Sequence, residues 1–166
     1  MLIKSKTIQL ETTKKVQLFD LTNEVKGFLS ETGVENGMGI VSTLHTTTGV
    51  FFTEVQDALW DDVDAFLGQL VAEHAGYKHN DPRFSDCDRQ NAAAHLRSIL
   101  LGGSLVLQVE DGRLVLGQFQ RIVFAELDGP RPRSLRMQFL GEEAAQKLPN
   151  WDKTDSRQRP VNGGLR

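Results

Sequence analysis

The alternation of apolar and polar residues divides the chain into short strands and amphipathic helices. Residues 4–10 are polar except for Ile8 and Leu10, which share one parity, so a strand with one covered face is expected. Leu21, Val25, Phe28 and Leu29 fall at helical spacing and predict a helix over residues 22–30. Asp20 or Thr22 is its expected cap and Gly33 its stop. Residues 38–45 are apolar and β-branched beside Gly37 and Gly39, and residues 50–55 follow the break at Gly49, giving two more strands. Leu59, Val63, Phe66, Leu67 and Leu70 then form a helical stripe, with Asp61, Asp62 and Asp64 outside it.

Residues 76–89 contain Pro82 and many polar groups, and read as a loop long enough to carry function. A helix over residues 91–101 ends at Gly102-Gly103. A hairpin comes next: Leu105, Leu107 and Val109 alternate, Asp111-Gly112 makes the turn, and Leu114 and Leu116 return. Residues 122–128 and 135–140 are two further strands, separated by Gly129-Pro130-Arg131-Pro132. In the last strand Leu135, Met137 and Phe139 alternate with Ser134, Arg136 and Gln138, which leaves an apolar face needing cover. Beyond Gly141 the pattern dissolves. Residues 1–141 are expected to form one domain and residues 142–166 a C-terminal extension anchored, where ordered, by Trp151. The sum is an α+β domain in which antiparallel sheets carry helices on the outside.

A chain of 166 residues can build a full core without a disulfide, and Cys87 has no second cysteine to pair with. A single cysteine and the lack of an apolar leader segment lead to an expected cytoplasmic location. No apolar run approaches the length of a membrane span, so no membrane partner is expected. The balance of 19 Lys and Arg against 22 Asp and Glu argues against general nucleic-acid binding, despite a local run of arginines from Arg113 to Arg136.

Three of the four histidines sit where chemistry could use them. His45 ends an apolar strand, His79 lies in the polar loop, and His95 stands beside the apolar stripe of Ala92, Leu96, Ile99 and Leu100. Imidazole is the commonest metal donor, and three with an open position suit a catalytic zinc ion. No local ligand motif links them, so hydrogen-bonded or surface histidines are the commoner reading of the residues alone. His74 reads as solvent-facing. Cys87 reads as inert, with a soft ligand or a nucleophile as the alternatives. Glu126 and Asp128 share a parity with Ile122 and Phe124. They either pair with Arg131 and Arg133 as structural ions or border a phosphate site.

These segments resemble a known family. Leu44-His45-Thr46-Thr47-Thr48-Gly49, Tyr77-Lys78-His79 and Asn91-Ala92-Ala93-Ala94-His95-Leu96 are similar to the three histidine blocks of the YjbQ-type family, also called the secondary thiamine-phosphate synthase family. Ser104, Leu107, Val109, Gly112, Gly117, Gln120 and Ile122 stand at the spacing of its signature hairpin. Glu126-Leu127-Asp128-Gly129-Pro130-Arg131 resembles its Glu-Phe-Asp-Gly-Pro-Arg block. The chain departs from the pattern at Gln118-Phe119, at Thr53 and at Ala93.

The resemblance implies an antiparallel β-sandwich with helices packed outside and a homotrimer. It also implies a weak ability to join a pyrimidine pyrophosphate to a thiazole phosphate, making thiamine phosphate. On this reading His45, His79 and His95 hold a divalent metal, zinc by preference. Glu54 and Glu126 are the candidate catalytic carboxylates. Arg131, Thr46, Thr47 and Gln120 are the candidates for binding a small phosphorylated substrate. The rival from another class is a non-catalytic trimeric module that holds such a molecule without turning it over.

Overall fold

The computed structural model describes residues 1–143. The expected anchoring of the extension by Trp151 therefore falls outside the described residues.

Eight strands and three α-helices follow one another among the described residues: β1 Leu2–Glu11, β2 Gln17–Asp20, α1 Thr22–Thr32, β3 Val34–Thr43, β4 Thr48–Thr53, α2 Asp57–Leu70, α3 Ala92–Leu101, β5 Ser104–Glu110, β6 Arg113–Leu114, β7 Arg121–Glu126 and β8 Pro132–Glu143. A single 3-10 turn, Lys78–Asn80, interrupts the long loop between α2 and α3. The larger sheet runs β1-β8-β3-β5-β6 and the smaller runs β2-β7-β4. Every paired strand is antiparallel to its neighbour. The α+β class and the arrangement of sheets with outer helices agree with the sequence.

The main core lies between the sheets. Val41, Leu107, Leu135, Met137 and Phe139 from the larger sheet meet Val50, Ile122 and Phe124 from the smaller, with Val25, Phe28 and Leu29 of α1 filling the remaining side. Phe28 and Phe139 lie 5.8 Å apart at a tilt, a favoured aromatic geometry. Leu135, Met137 and Phe139 are thus buried by their own chain, not by a partner. Of the apolar side chains on the outer face, Ile3 and Met38 flank Leu140 in register, and Ile40 stands opposite Val106.

A smaller cluster of Leu67, Ala94, Ala125 and Leu127 joins α2 and α3 to the other face of the small sheet. In α3 the buried positions are Ala92, Ala93, Ala94, Arg97 and Ser98. The expected stripe is therefore rotated, for Ile99 and Leu100 are exposed. The reason is close approach: alanines let the helix sit down on β4, and the Ser98 hydroxyl donates to the Thr48 carbonyl at 2.6 Å. In α2 only Leu67 of the apolar stripe is buried.

Capping follows the sequence in part. Gly33 ends α1 in the left-handed region at φ +74°. The N-cap position is Leu21, and the Asp20 carboxylate instead accepts the Thr22 N–H at 2.9 Å. Asp111 and Gly112 both take positive φ, as a tight hairpin requires, but the returning strand stops at Leu114.

Candidate functional site

The β4–β7 ladder sets the geography. Thr48 pairs with Glu126 at one end and Thr53 with Arg121 at the other. Five residue steps put these ends about 17 Å apart. The histidine block, Glu126, Asp128 and Arg131 gather at the first end. Glu54 and Gln120 flank the second.

At the first end, β7 and β8 face each other across the sandwich. Glu126 is fully buried, and Arg133 grips its two carboxylate oxygens with Nε and Nη2. The backbone N–H groups of Leu127 and Asp128 each donate to Oε1 at 2.9 Å, and the Thr12 hydroxyl lies 3.0 Å from Oε2. Arg133 Nη2 also donates to the Thr47 hydroxyl at 3.0 Å. Every acceptor position of Glu126 is occupied by protein, so the carboxylate closes the end of the core and has none left for a substrate. This is the structural ion pair that the parity of the strand left open, and it takes Thr47 with it.

His45 packs above this pair. Its Nε2 accepts the Ser134 backbone N–H at 2.8 Å. A backbone amide only donates, so Nε2 is unprotonated and the neutral ring carries its proton on Nδ1. Burial, then the nearby Arg133 cation, hold the imidazole below its usual pKa, with Glu126 opposing them. Thr46 beside it is exposed.

The other two histidines meet in a pocket of about 360 Å³ lined by Tyr77, Lys78, His79, Ala92, His95 and Leu96. That volume suits a small molecule. The rings of His79 and His95 stand edge to face with centroids 5.1 Å apart. The Asn80 side chain accepts the Ala92 N–H at 3.0 Å, which docks the 3-10 turn on the start of α3. His79 Nε2 meets Asn91 Oδ1 at 3.2 Å, and Asn91 Nδ2 donates to Asp128 Oδ2 at 2.8 Å. Arg131 Nη2 reaches the same carboxylate oxygen at 2.9 Å, and Arg89 Nε lies 3.6 Å from it.

His79 and His95 are therefore brought together in one pocket. Among the described residues no group of three or more His, Cys, Asp or Glu side chains stands close enough together to hold a metal. His45 is held on Ser134 and offers no free lone pair while that bond lasts. Glu54 is exposed, and its carbonyl accepts the Trp60 indole N–H at 3.0 Å. Gln120 folds back on its own turn, its Oε1 accepting the Gly117 N–H at 2.9 Å. Neither reaches the histidine pocket of its own chain.

The sequence reading did not single out Lys78 or Asn91 as site residues, and it offered Asp128 only as an ion-pair partner or the border of a phosphate site. Lys78 adjoins His79, and Asn91 and Asp128 lie inside the motif blocks, so position was the available signal. Cys87 is partly exposed, with Sγ 3.9 Å from Asn91 Oδ1, at the edge of the same network.

Two antiparallel sheets with outer helices and a histidine-lined pocket define the class, an α+β sandwich protein. The chain belongs to the family described as UPF0047 protein YjbQ-like, whose model matches residues 6–142. It is 38% identical to a UPF0047 protein of Methanothermobacter thermautotrophicus over 81% of this chain and 90% of the relative. It is 39% identical to one of Archaeoglobus fulgidus over 80% of this chain and 98% of the relative. Its fold is similar to that of a YbjQ-like protein of Sulfolobus solfataricus, with a TM-score of 0.78, 30% identity and coverage of 84% and 98% of the two chains. A protein of Aeropyrum pernix matches with a TM-score of 0.76 and 36% identity, covering 84% and 99%. Among the described residues no helix is long and apolar enough to cross a membrane.

Proposed function

We propose that the protein is a metal-dependent enzyme acting on a small phosphorylated substrate in the pocket of His79 and His95. The observation that carries this reading is the edge-to-face pair of imidazoles, held in an open pocket beside the Lys78 cation. Zinc suits such nitrogen donors, and when bound it would supply Lewis-acid stabilisation of charge on a phosphate oxygen. His79 and His95 would hold it. His45 would complete the set expected from the resemblance by giving up the Ser134 N–H. Lys78 and the guanidinium nitrogens of Arg131 not spent on Asp128 are the cations for the phosphate. Thr46 is exposed and free to donate a hydroxyl.

A non-catalytic binding module is the second reading. It is favoured by the placement of the carboxylates, since Glu126 is consumed by Arg133 and Glu54 sits at the far end of the ladder. Among the described residues the groups lining the pocket that could move a proton are then His79, His95, Lys78 and Tyr77, with no carboxylate among them.

Zinc titration of the metal-free protein, followed by an assay for thiamine phosphate from the pyrimidine pyrophosphate and thiazole phosphate, separates the two. The proposal expects zinc binding that is lost in His79→Ala and His95→Ala, together with turnover that falls with it. Binding of zinc and of both phosphorylated compounds without turnover selects the module. No zinc binding ends the metal reading.

We further propose a homotrimer. Its support is the exposed apolar group on the outer face of the larger sheet, where Ile3 is 55%, Met38 44% and Val106 65% exposed, together with the family resemblance. Sedimentation at micromolar concentration should give three times the chain mass, and Val106→Glu should lower it. A monomeric wild type rejects the trimer.

A further inference from the structure

We infer that Asn91 and Asp128 are positioning residues that fix the tautomer of His79, so that its Nδ1 is the unprotonated nitrogen left to the pocket chemistry. Asn91 stands at the N-cap position of α3, yet its side chain caps nothing. It is 7% exposed and committed elsewhere.

The direction of its amide follows from the partner behind it. An ionised carboxylate only accepts, so the Asn91 group 2.8 Å from Asp128 Oδ2 must be the NH2. The amide oxygen is then the group that meets His79 Nε2 at 3.2 Å. An amide oxygen also only accepts, so Nε2 carries the proton. In a neutral imidazole the remaining lone pair is then on Nδ1.

Asp128 is itself held in place. Arg131 Nη2 binds Oδ2 at 2.9 Å, and the Asp128 backbone N–H is tied to the buried Glu126 carboxylate at 2.9 Å. A chain of single-direction hydrogen bonds therefore runs from the buried ion pair to the pocket. His45 shows the opposite arrangement, since the Ser134 amide forces its Nε2 to accept. The two histidines are set as opposite tautomers by their neighbours.

The role given to Nδ1, as a metal ligand or a base, rests on the proposed function, but the tautomer does not. A ligating histidine whose second N–H is fixed in this way usually loses 10–100-fold in metal affinity when the outer partner is removed.

Nitrogen-15 NMR of the histidine rings in the metal-free protein at about pH 8, where a free imidazole is neutral, reads the tautomer directly. Wild type is expected to show His79 wholly as the Nε2–H form. Asn91→Ala should show both ring nitrogens averaged between two forms. In the second arm, Asn91→Ala should bind zinc about 10–100-fold more weakly than wild type. An averaged or Nδ1–H ring in wild type overturns the inference, and that result needs no variant to fold. Unchanged zinc affinity in a folded Asn91→Ala overturns the positioning role. If wild type binds no zinc, the metal reading fails and the wild-type tautomer alone decides the inference.

Discussion

Arg133→Met is expected to destabilise the protein by about 3–5 kcal/mol, the cost of leaving a buried charge without its partner. Glu126 has no solvent exposure, and Arg133 is 2% exposed. Methionine fills much of the space but donates nothing, so the carboxylate keeps only two backbone amides and the Thr12 hydroxyl. The Thr47 hydroxyl loses its donor as well. Urea unfolding of both proteins near neutral pH, followed by circular dichroism, measures the difference. Glu126→Gln combined with Arg133→Met should cost less than the sum of the single changes, because the pair is then neutralised together. A loss under about 1 kcal/mol for Arg133→Met would show that water or another cation reaches Glu126, and that the site end of the sandwich is open.

That pair shows where sequence reasoning stops. Parity correctly places Glu126 on the same face as Ile122 and Phe124, but it does not say whether that face is open. The face proves to be the interior, opposite Leu135, Met137 and Phe139 of β8. The same missing information explains the misjudged face of β8. Alternation identifies an apolar side, while only the position of the second sheet tells what covers it. Elements with strong local signals came through: the Asp111-Gly112 turn, the Gly33 stop of α1 and the long strands. The strand β2 is only four residues, Gln17–Asp20, and too short to show a period. Its place is fixed by tertiary contact, with the Phe19 ring tilted against that of Phe124 at 6.0 Å.

The site was legible in the same uneven way. The resemblance placed His79 and His95 in one constellation, and the structure brings them into one pocket. It gave no means of seeing that β4 and β7 carry Glu54 and Gln120 away from that pocket. A strand separates its two ends by its full length, whereas sequence blocks in order carry no distance. Nor could it show that the Ser134 amide holds His45. Backbone donors have no sequence signature, so a histidine's acceptor role is visible only after folding.

Arg97→Leu is expected to lower stability by about 2–3 kcal/mol and to loosen the loop that brings His79 to His95. Arg97 is a buried cation on α3, two residues beyond His95 in sequence and 5% exposed. Its Nε and Nη2 donate to the Val71 carbonyl at 3.2 and 2.9 Å, and Nη1 lies 3.4 Å from Glu73. These contacts fasten the end of α2 to α3, at the point where the loop carrying Tyr77, Lys78 and His79 departs. The Tyr77 hydroxyl strengthens the same exit by donating to the Ala72 carbonyl at 2.8 Å. Leucine would leave the Val71 carbonyl without both side-chain donors. Glu73 is held below the usual carboxylate range first by its hydrogen bond from Lys15, so it retains a partner when Arg97 is lost. The damage should therefore fall on the loop's anchorage, not on an orphaned acid. Amide hydrogen exchange at Lys78–Asn80 should speed up by more than the change in global stability alone produces. Arg97→Lys, with one compact ammonium in place of the fork, should give an intermediate effect. A loss of global stability with exchange at Lys78–Asn80 no faster than that loss predicts would show that Asn80 and Asn91 hold His79 in place without Arg97.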